Sequence, residues 1–226
     1  MGERLSWDGY AAGWAALHLG VDPRRSSPAV RGWLRLSYVV GRGLAAAGFA
    51  PGTVTAFGLV FSVLVPVVVI FRGWFLFLGA ALVLLAALAD SVDGAVAVLS
   101  HRASRLGAFD DAVTDRLAEA AWLLALWLVG GHGVLVVACG GVSWLHEYVR
   151  ARAATSGMAG IGTVTVNERP TRVIAVIGAL TLGGLVWMIN PSLVPGTITV
   201  VLAIWLLLAV LALVRLVSTV RTTLRR

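Results

Sequence analysis

The chain has 226 residues, of which 59% are apolar and 13% charged, with a mean hydropathy of +0.91. A soluble domain carries about 25% charged and about 45–50% apolar residues, so this balance excludes a water-soluble globule, a disordered tail and a collagen-like fibre. All 18 basic residues are Arg, against 11 acids, for a net charge of +7. No stretch interleaves Arg with exposed aromatics as a nucleic-acid groove requires; Arg in cytoplasmic loops and at lipid headgroups accounts for the charge. One cysteine, Cys139, excludes an internal disulfide and argues against a zinc cluster or a Cys-based relay. Residues 1–50 carry Arg24, Arg25, Arg31, Arg35 and Arg42 among Trp and Ser, with no short apolar core and cleavage site, so they do not read as a signal peptide.

Spanning a bilayer takes about 20 apolar residues as a helix, and uncharged runs mark where this happens. Residues 28–46 come first: Arg31, Arg35 and Arg42 recur with Trp33, Leu34, Tyr38 and Val39 between them, the pattern of an amphipathic helix lying in the interface. The first spanning run covers Gly43 to Phe71, entering the membrane near Thr53 after Pro51-Gly52. Arg72-Gly73 make a turn, and a second run from Trp74 stops at Asp90. A third starts near Ala108 and is apolar through Val129; after the turn at residues 130–133, a fourth follows from Val134 to about Tyr148. The polar stretch from Arg150 to Arg172 precedes an uncharged run, Val173 to Val214, broken at Asn190-Pro191-Ser192 and Pro195-Gly196 and long enough for two more helices. The expected architecture is all-α: a polytopic membrane protein with six transmembrane helices and an N-terminal interfacial amphipathic helix.

Arginine placement predicts the sidedness. Arg102, Arg105, Arg150, Arg152, Arg169, Arg172, Arg215, Arg221, Arg225 and Arg226 fall in alternate loops and the tail, on the side of Arg24, Arg25, Arg31, Arg35 and Arg42, and Arg72 lies in an opposite loop. Positive charge favours the cytoplasmic face, so both termini and the 101–107 and 150–172 loops are expected there, in a multi-pass protein of the cell membrane.

The acids carry the chemistry. Six of eleven fall within residues 90–119: Asp90, Asp93, Asp110, Asp111, Asp115 and Glu119. Asp90 and Asp93 are three apart at the cytoplasmic end of the second span, and Asp111 and Asp115 four apart on the opening turns of the third, so each pair shares a helix face. A short loop joins the two helices and lets both pairs converge. Carboxylates bordering a membrane segment are costly and mostly functional, and four side by side repel one another. A divalent cation relieves that repulsion, and an all-oxygen donor set suits Mg²⁺ or Mn²⁺ rather than zinc. Gly94 and Gly107 flank the cluster, where absent side chains let a bulky ligand approach. Asp110 breaks the helical spacing and reads as a helix-start charge facing elsewhere. Arg102, Arg105 and Arg116 alternatively neutralise the acids in a salt-bridged helix pair.

Asp90-Ser-Val-Asp93-Gly94-Ala-Val-Ala97, followed by Gly107, Asp111 and Asp115, resembles the signature of the CDP-alcohol phosphotransferase family, D-x2-D-G-x2-A-R-x8-G-x3-D-x3-D. Every acid and glycine is in register, and Pro51-Gly-Thr-Val-Thr55-Ala-Phe-Gly58 resembles the family's P-N-x-x-T-x-x-G entry to the first span. Two positions depart: Val98 stands in place of the signature Arg, and Gly52 in place of the Asn. The resemblance implies a domain over residues 28–218, with 1–27 a cytoplasmic N-terminal segment and 219–226 a basic tail. It also implies transfer of a substituted phosphate from CDP-diacylglycerol or another CDP-alcohol to a small polar alcohol, with release of CMP and with two Mg²⁺ or Mn²⁺ ions.

By motif position, Asp90, Asp93, Asp111 and Asp115 hold the metals, with Asp115 also the catalytic base. Gly94, Ala97, Gly107 and Thr55 line the CDP site, and Arg102 replaces the charge lost at Val98 if its helix continues. Arg150 and Arg152 (HEYVRARAATSG), with Arg169 and Arg172 (NERPTR), resemble the acceptor-phosphate segments of phosphatidylinositol-phosphate synthases, which makes a phosphorylated acceptor the first expectation. Glu147 departs from the small hydroxyl residue of those enzymes, leaving glycerol 3-phosphate, another sugar phosphate or a free polyol open. His101 and His146 read as structural, with His18 and His132 outside the site; Glu119 reads as a buried hydrogen-bonding partner. Gly140-Gly141 and Gly183-Gly184 read as sites of close helix packing. The resemblance suggests a homodimer among membrane lipids, without nucleic acid. The competing readings are a divalent-cation transporter and a catalytically inactive relative.

Overall fold

A computed structural model describes residues 5–17, 22–158 and 167–225, and among them every regular element is helical. In chain order these are α1 (Trp7–Leu17), α2 (Pro28–Ala46), α3 (Pro51–Val69), α4 (Phe75–Leu99), α5 (Arg105–Leu128), α6 (Gly133–Thr155), α7 (Arg169–Ile189) and α8 (Val194–Leu224). Short 3-10 turns at Pro23–Arg25 and Pro191–Leu193 precede α2 and α8. Four helical stretches, Pro51–Val69, Phe75–Leu99, Arg169–Ile189 and Pro191–Leu224, are long and apolar enough to cross a bilayer. Helices α5 and α6 stand where two further spans were expected, but α5 is charged over its first turns and α6 over its last. His18, Arg226 and the middle of the 150–172 stretch (159–166) lie outside the described residues.

These residues group into two units, Met1–Val60 with Leu85–Leu117 and Phe61–Leu84 with Ala118–Arg226. In the first, α1 lies within the 1–27 segment, for which the sequence predicts no helix. Trp7, Tyr10 and Tyr38 form a ring cluster with centroids 5.3–5.7 Å apart, and Tyr10 and Tyr38 pack with Ala95 and Val98 of α4. Helix α2 starts at Ser27, whose Oγ accepts from the Val30 N–H at 3.4 Å, with Pro28 in its first turn. It buries Leu34, Ser37, Tyr38 and Gly41, spaced as one helical face, while Arg31, Arg35, Leu36 and Val39 are exposed. A Cβ at Gly41 would stand 2.8 Å from the Ala95 Cβ, so only glycine lets α2 reach α4 there. Trp33 Nε1 donates to Ser91 Oγ at 2.8 Å one turn away.

Helix α4 runs on past the aspartates to Leu99 and is closed by a cap: the His101 N–H donates to Val98 O, and the Arg102 N–H to Ala97 O at 2.9 Å. This is the Schellman pattern with His101 in the left-handed region, φ 55°, where glycine is the usual occupant. Arg102 therefore lies beyond the helix, not one turn further along it.

In the second unit α8 packs against α6 and α7. Added Cβ atoms at Gly140, Gly183 and Gly184 would stand 3.0, 3.0 and 2.8 Å from Leu123, Leu76 and Phe77, so three of the four paired glycines sit at close helix approaches. Gly141 has nothing within 4 Å. Cys139 is buried and donates from Sγ to Leu202 O at 3.3 Å.

Candidate active site

Helix α4 divides its residues by period. Ser91, Ala95 and Val98 face α1 and α2, while Asp90, Asp93, Gly94 and Ala97, at spacings of three and four, share another face. Helix α3 reaches α4 because Gly58 carries no side chain: a Cβ there would be 3.3 Å from the Ala89 Cβ, and Val54 packs with Ala89, Val92 and Val96. One turn before Gly58, Thr55 Oγ1 donates to Asp93 Oδ2 at 2.5 Å, orienting that carboxylate. Ser104 starts α5 by accepting from the Gly107 N–H at 3.0 Å, and Asp111 follows four residues later.

One oxygen from each of Asp90, Asp93 and Asp111 lies within 4.8 Å of the others. Asp93 is 6% exposed; Asp90 and Asp111 are half-buried. Three carboxylates at that separation repel unless a cation stands among them, and an all-oxygen donor set is that of a hard divalent ion. These residues fit such an ion. Asp115 sits four residues beyond Asp111 on α5, half-buried, with its Oδ2 3.9 Å from Arg116 Nη2, and is not one of the three that converge.

Beside the trio opens a cavity of about 560 Å³, lined on one side by Thr55, Asp93, Gly94 and Ala97. A Cβ at Gly94 would meet nothing within 4 Å, so the missing side chain widens the cavity rather than relieving a contact. Gly107 and Asp111 line it from α5, and so does Asp110, in place of the outward direction expected of it; the opening turns of α5 border the cavity broadly enough to include it. Arg102 and Arg105 line it as well. Arg105 was legible only as a neutralising charge, since its contribution depends on where the α4–α5 connection folds.

Val98 packs into the Tyr10–Tyr38–Ala95 cluster, and a Cβ at Gly13 would stand 2.9 Å from Val98 Cγ1. Val98 lines the cavity as well, and there a valine brings no charge. Arg102 in the connection and Arg105 at the start of α5 bring positive charge to the cavity.

The four arginines assigned to the acceptor lie on α6 and α7, and two of them, Arg150 and Arg172, pair with acids. Arg150 Nη2 donates to Glu168 Oε1. Arg172 is buried, with Nη2 donating to Glu147 Oε1 at 2.8 Å and Nε 3.0 Å from Glu119 Oε1. Glu119 is thus the buried partner the sequence suggested, but its partner could not be read from spacing. His146 is fully buried, Arg152 is exposed and Arg169 half-buried.

Known proteins resemble this chain in sequence and fold. The phosphatidylinositol phosphate synthase of Mycobacteroides abscessus is 42% identical over 146 residues, 61% of this chain and 65% of that protein. The phosphatidylinositol phosphate synthase of Mycobacterium tuberculosis superposes with a TM-score of 0.67 at 30% identity, over 82% of this chain and 94% of that one, in a crystal structure with CDP-DAG bound. A second crystal structure of that enzyme, with manganese and citrate, gives the same TM-score at 82% and 89% coverage. Four apolar helices and these likenesses describe a membrane protein, and nothing among them favours a cation transporter. Because residues 49–224, which take in the aspartates, the cavity and both arginine segments, match the family model described as CDP-alcohol phosphatidyltransferase, the chain belongs to that family.

Proposed function

We propose that this protein transfers a phosphatidyl group from CDP-diacylglycerol to the hydroxyl of a small polar alcohol and releases CMP, as a step of phospholipid synthesis. The observation that carries this reading is the convergence of Asp90, Asp93 and Asp111 beside a glycine-lined cavity of about 560 Å³. The alcohol oxygen attacks the phosphorus that bears the diacylglycerol, the bond from that phosphorus to the CMP oxygen breaks, and the hydroxyl proton passes to the Asp115 carboxylate. Asp90, Asp93 and Asp111, joined by Asp115, would hold two Mg²⁺ or Mn²⁺ ions, which would neutralise the diphosphate and the leaving CMP. Thr55 keeps the Asp93 carboxylate in place, Gly94, Ala97 and Gly107 leave room for the cytidine nucleotide, and Arg102 with Arg105 supplies positive charge beside it.

Residues 28–218 form the catalytic domain in this reading, with six spans, α5 and α6 counted among them. The 1–27 segment, the 219–226 tail and the active site lie on the cytoplasmic face of the cell membrane, where the arginines concentrate. The exposed Arg31, Arg35 and Val39 of α2 support an interfacial position for that helix. A homodimer rests on the family resemblance. Support for the donor comes from the M. tuberculosis enzyme solved with CDP-DAG, and for the metal from the same enzyme solved with manganese.

The test is CMP release by the purified protein in lipid micelles with CDP-diacylglycerol, Mg²⁺ and a panel of phosphorylated and free alcohols. Release that depends on an acceptor and disappears in Asp115→Asn is expected. Silence with every acceptor, while CDP-diacylglycerol still binds, would sink the reading.

A further inference from the structure

Arg172 is 1% exposed and its guanidinium is held from two directions, by Glu147 Oε1 at 2.8 Å and Glu119 Oε1 at 3.0 Å. Arg150, one turn beyond Glu147 on α6, is tied to Glu168. Arg150 and Arg172 bring +2, and Glu119, Glu147 and Glu168 bring −3, so this paired core is net −1; Arg152 and Arg169 raise the whole set only to +1. The Glu147 side chain is 28% exposed, so a ligand arriving at Arg172 from outside meets this carboxylate. Arg172 Nη1 and Arg150 Nε have no hydrogen-bond partner among the described residues, but a phosphomonoester reaching Arg172 would lie beside Glu147 and Glu119, and like charges juxtaposed without water are strongly unfavourable. Neutral hydrogen-bonding capacity is nearby in sequence and burial. Ser143, one turn before Glu147 on the same face of α6, is 1% exposed with its Oγ unsatisfied, and so is Asn167 with its Nδ2 unsatisfied. Buried groups of this kind need partners such as hydroxyls.

We infer that the acceptor is an uncharged polyol rather than a sugar or polyol phosphate, and that Glu147 is the residue that excludes the phosphate. This rests on the proposed transfer reaction and on residues 146–157 and 167–172 as its acceptor segments. Glu147 acts as a specificity residue: it occupies Arg172 and presents negative charge in the place a phosphate needs positive charge.

The experiment compares matched pairs, glycerol with glycerol 3-phosphate and inositol with inositol 1-phosphate, on the full chain in lipid micelles with CDP-diacylglycerol and Mg²⁺. Wild type is expected to use the free polyol of a pair with a kcat/KM at least roughly tenfold above its phosphorylated counterpart, the scale of an unfavourable charge juxtaposition. Glu147→Ser, which removes the carboxylate and keeps a hydroxyl, should move that ratio at least roughly tenfold toward the phosphorylated form. A wild-type preference for the phosphorylated member, or a ratio that Glu147→Ser leaves in place, overturns the inference. Should Glu147→Ser not fold, Glu147→Gln keeps an oxygen for Arg172 and carries the same comparison.

If no acceptor releases CMP, the transfer reading fails, and thermal unfolding with glycerol 3-phosphate or inositol 1-phosphate judges the charge argument separately. A rise in Tm confined to the Glu147 variant upholds it. An equal response of variant and wild type, or none in either, overturns it.

Discussion

In the proposed reaction, Gly94 is a missing side chain that serves a ligand rather than the fold. It lies inside α4 with ordinary helical backbone, so an alanine there is compatible with the chain path, and its Cβ would meet no atom within 4 Å. On helix propensity alone, Gly94→Ala should stabilise the protein by about 0.5–1 kcal/mol. Yet the new methyl would project into the cavity proposed for the nucleotide, where one carbon is worth roughly tenfold in binding. The expected outcome is a Tm equal to or above that of the parent together with a KM for CDP-diacylglycerol roughly tenfold higher. Thermal unfolding and CMP-release kinetics on the same preparation separate the two effects; an unchanged KM would show that the nucleotide does not pass Gly94. Gly41, on α2, has the opposite logic: its missing Cβ makes room for Ala95, so substitution there strains the packing of α2 on α4 instead.

Helix α1 is the element whose docking has a pH signature. Tyr10 is fully buried between Trp7 and Tyr38, and its hydroxyl has no hydrogen-bond partner among the described residues. Burial raises its pKa from the ordinary 10.0 to about 12. A raised pKa means that the docked state holds the proton more tightly, so its stability is intact below pH 10 and is lost as pH rises through 12. Tyr10→Phe removes both the unsatisfied hydroxyl and the titration. It should be more stable than the parent by about 1 kcal/mol at neutral pH, and its Tm should fall less between pH 9 and pH 11, roughly the window where the unfolded parent, but not the folded one, gives up the Tyr10 proton. Equal losses in the two proteins would place the alkaline weakness elsewhere. The helix itself was legible: Trp7, Tyr10, Ala11 and Trp14 follow a helical spacing, hidden because hydropathy directs attention to uncharged runs. Such runs located α3, α4, α7 and α8 but not their ends. Charge marks where lipid stops, whereas the backbone ladder continues, carrying α4 to Leu99 and α6 to Thr155. The aspartate trio was legible because its residues repeat at the helical period on two adjoining helices. The Glu119–Arg172–Glu147 group was not, because its members come from three helices and only tertiary packing joins them.

For the molecule as a whole, a net charge of +7 coexists with three carboxylates held within 4.8 Å of one another, so the acids are concentrated against the average of the chain. Mutual repulsion at that distance destabilises the native state, and a bound divalent ion removes the penalty while adding its own binding energy. Stability of the entire protein should therefore depend on metal in a way that Asp93→Asn reverses. Asn keeps an oxygen to accept the Thr55 hydroxyl and the size of the side chain, but removes one of the three negative charges. In chelator the parent should unfold below the variant. With Mg²⁺ or Mn²⁺ at about 100 times its dissociation constant, the parent should gain about 2.7 kcal/mol and overtake it, while the variant gains far less. Thermal unfolding in chelator and along a metal titration gives both quantities. A parent that ignores the metal, or a variant that responds equally, would mean that the trio is a cluster of acids without an ion. The crossing of the two stabilities is the informative feature, because a merely structural loss in Asp93→Asn lowers its Tm in chelator and in metal alike.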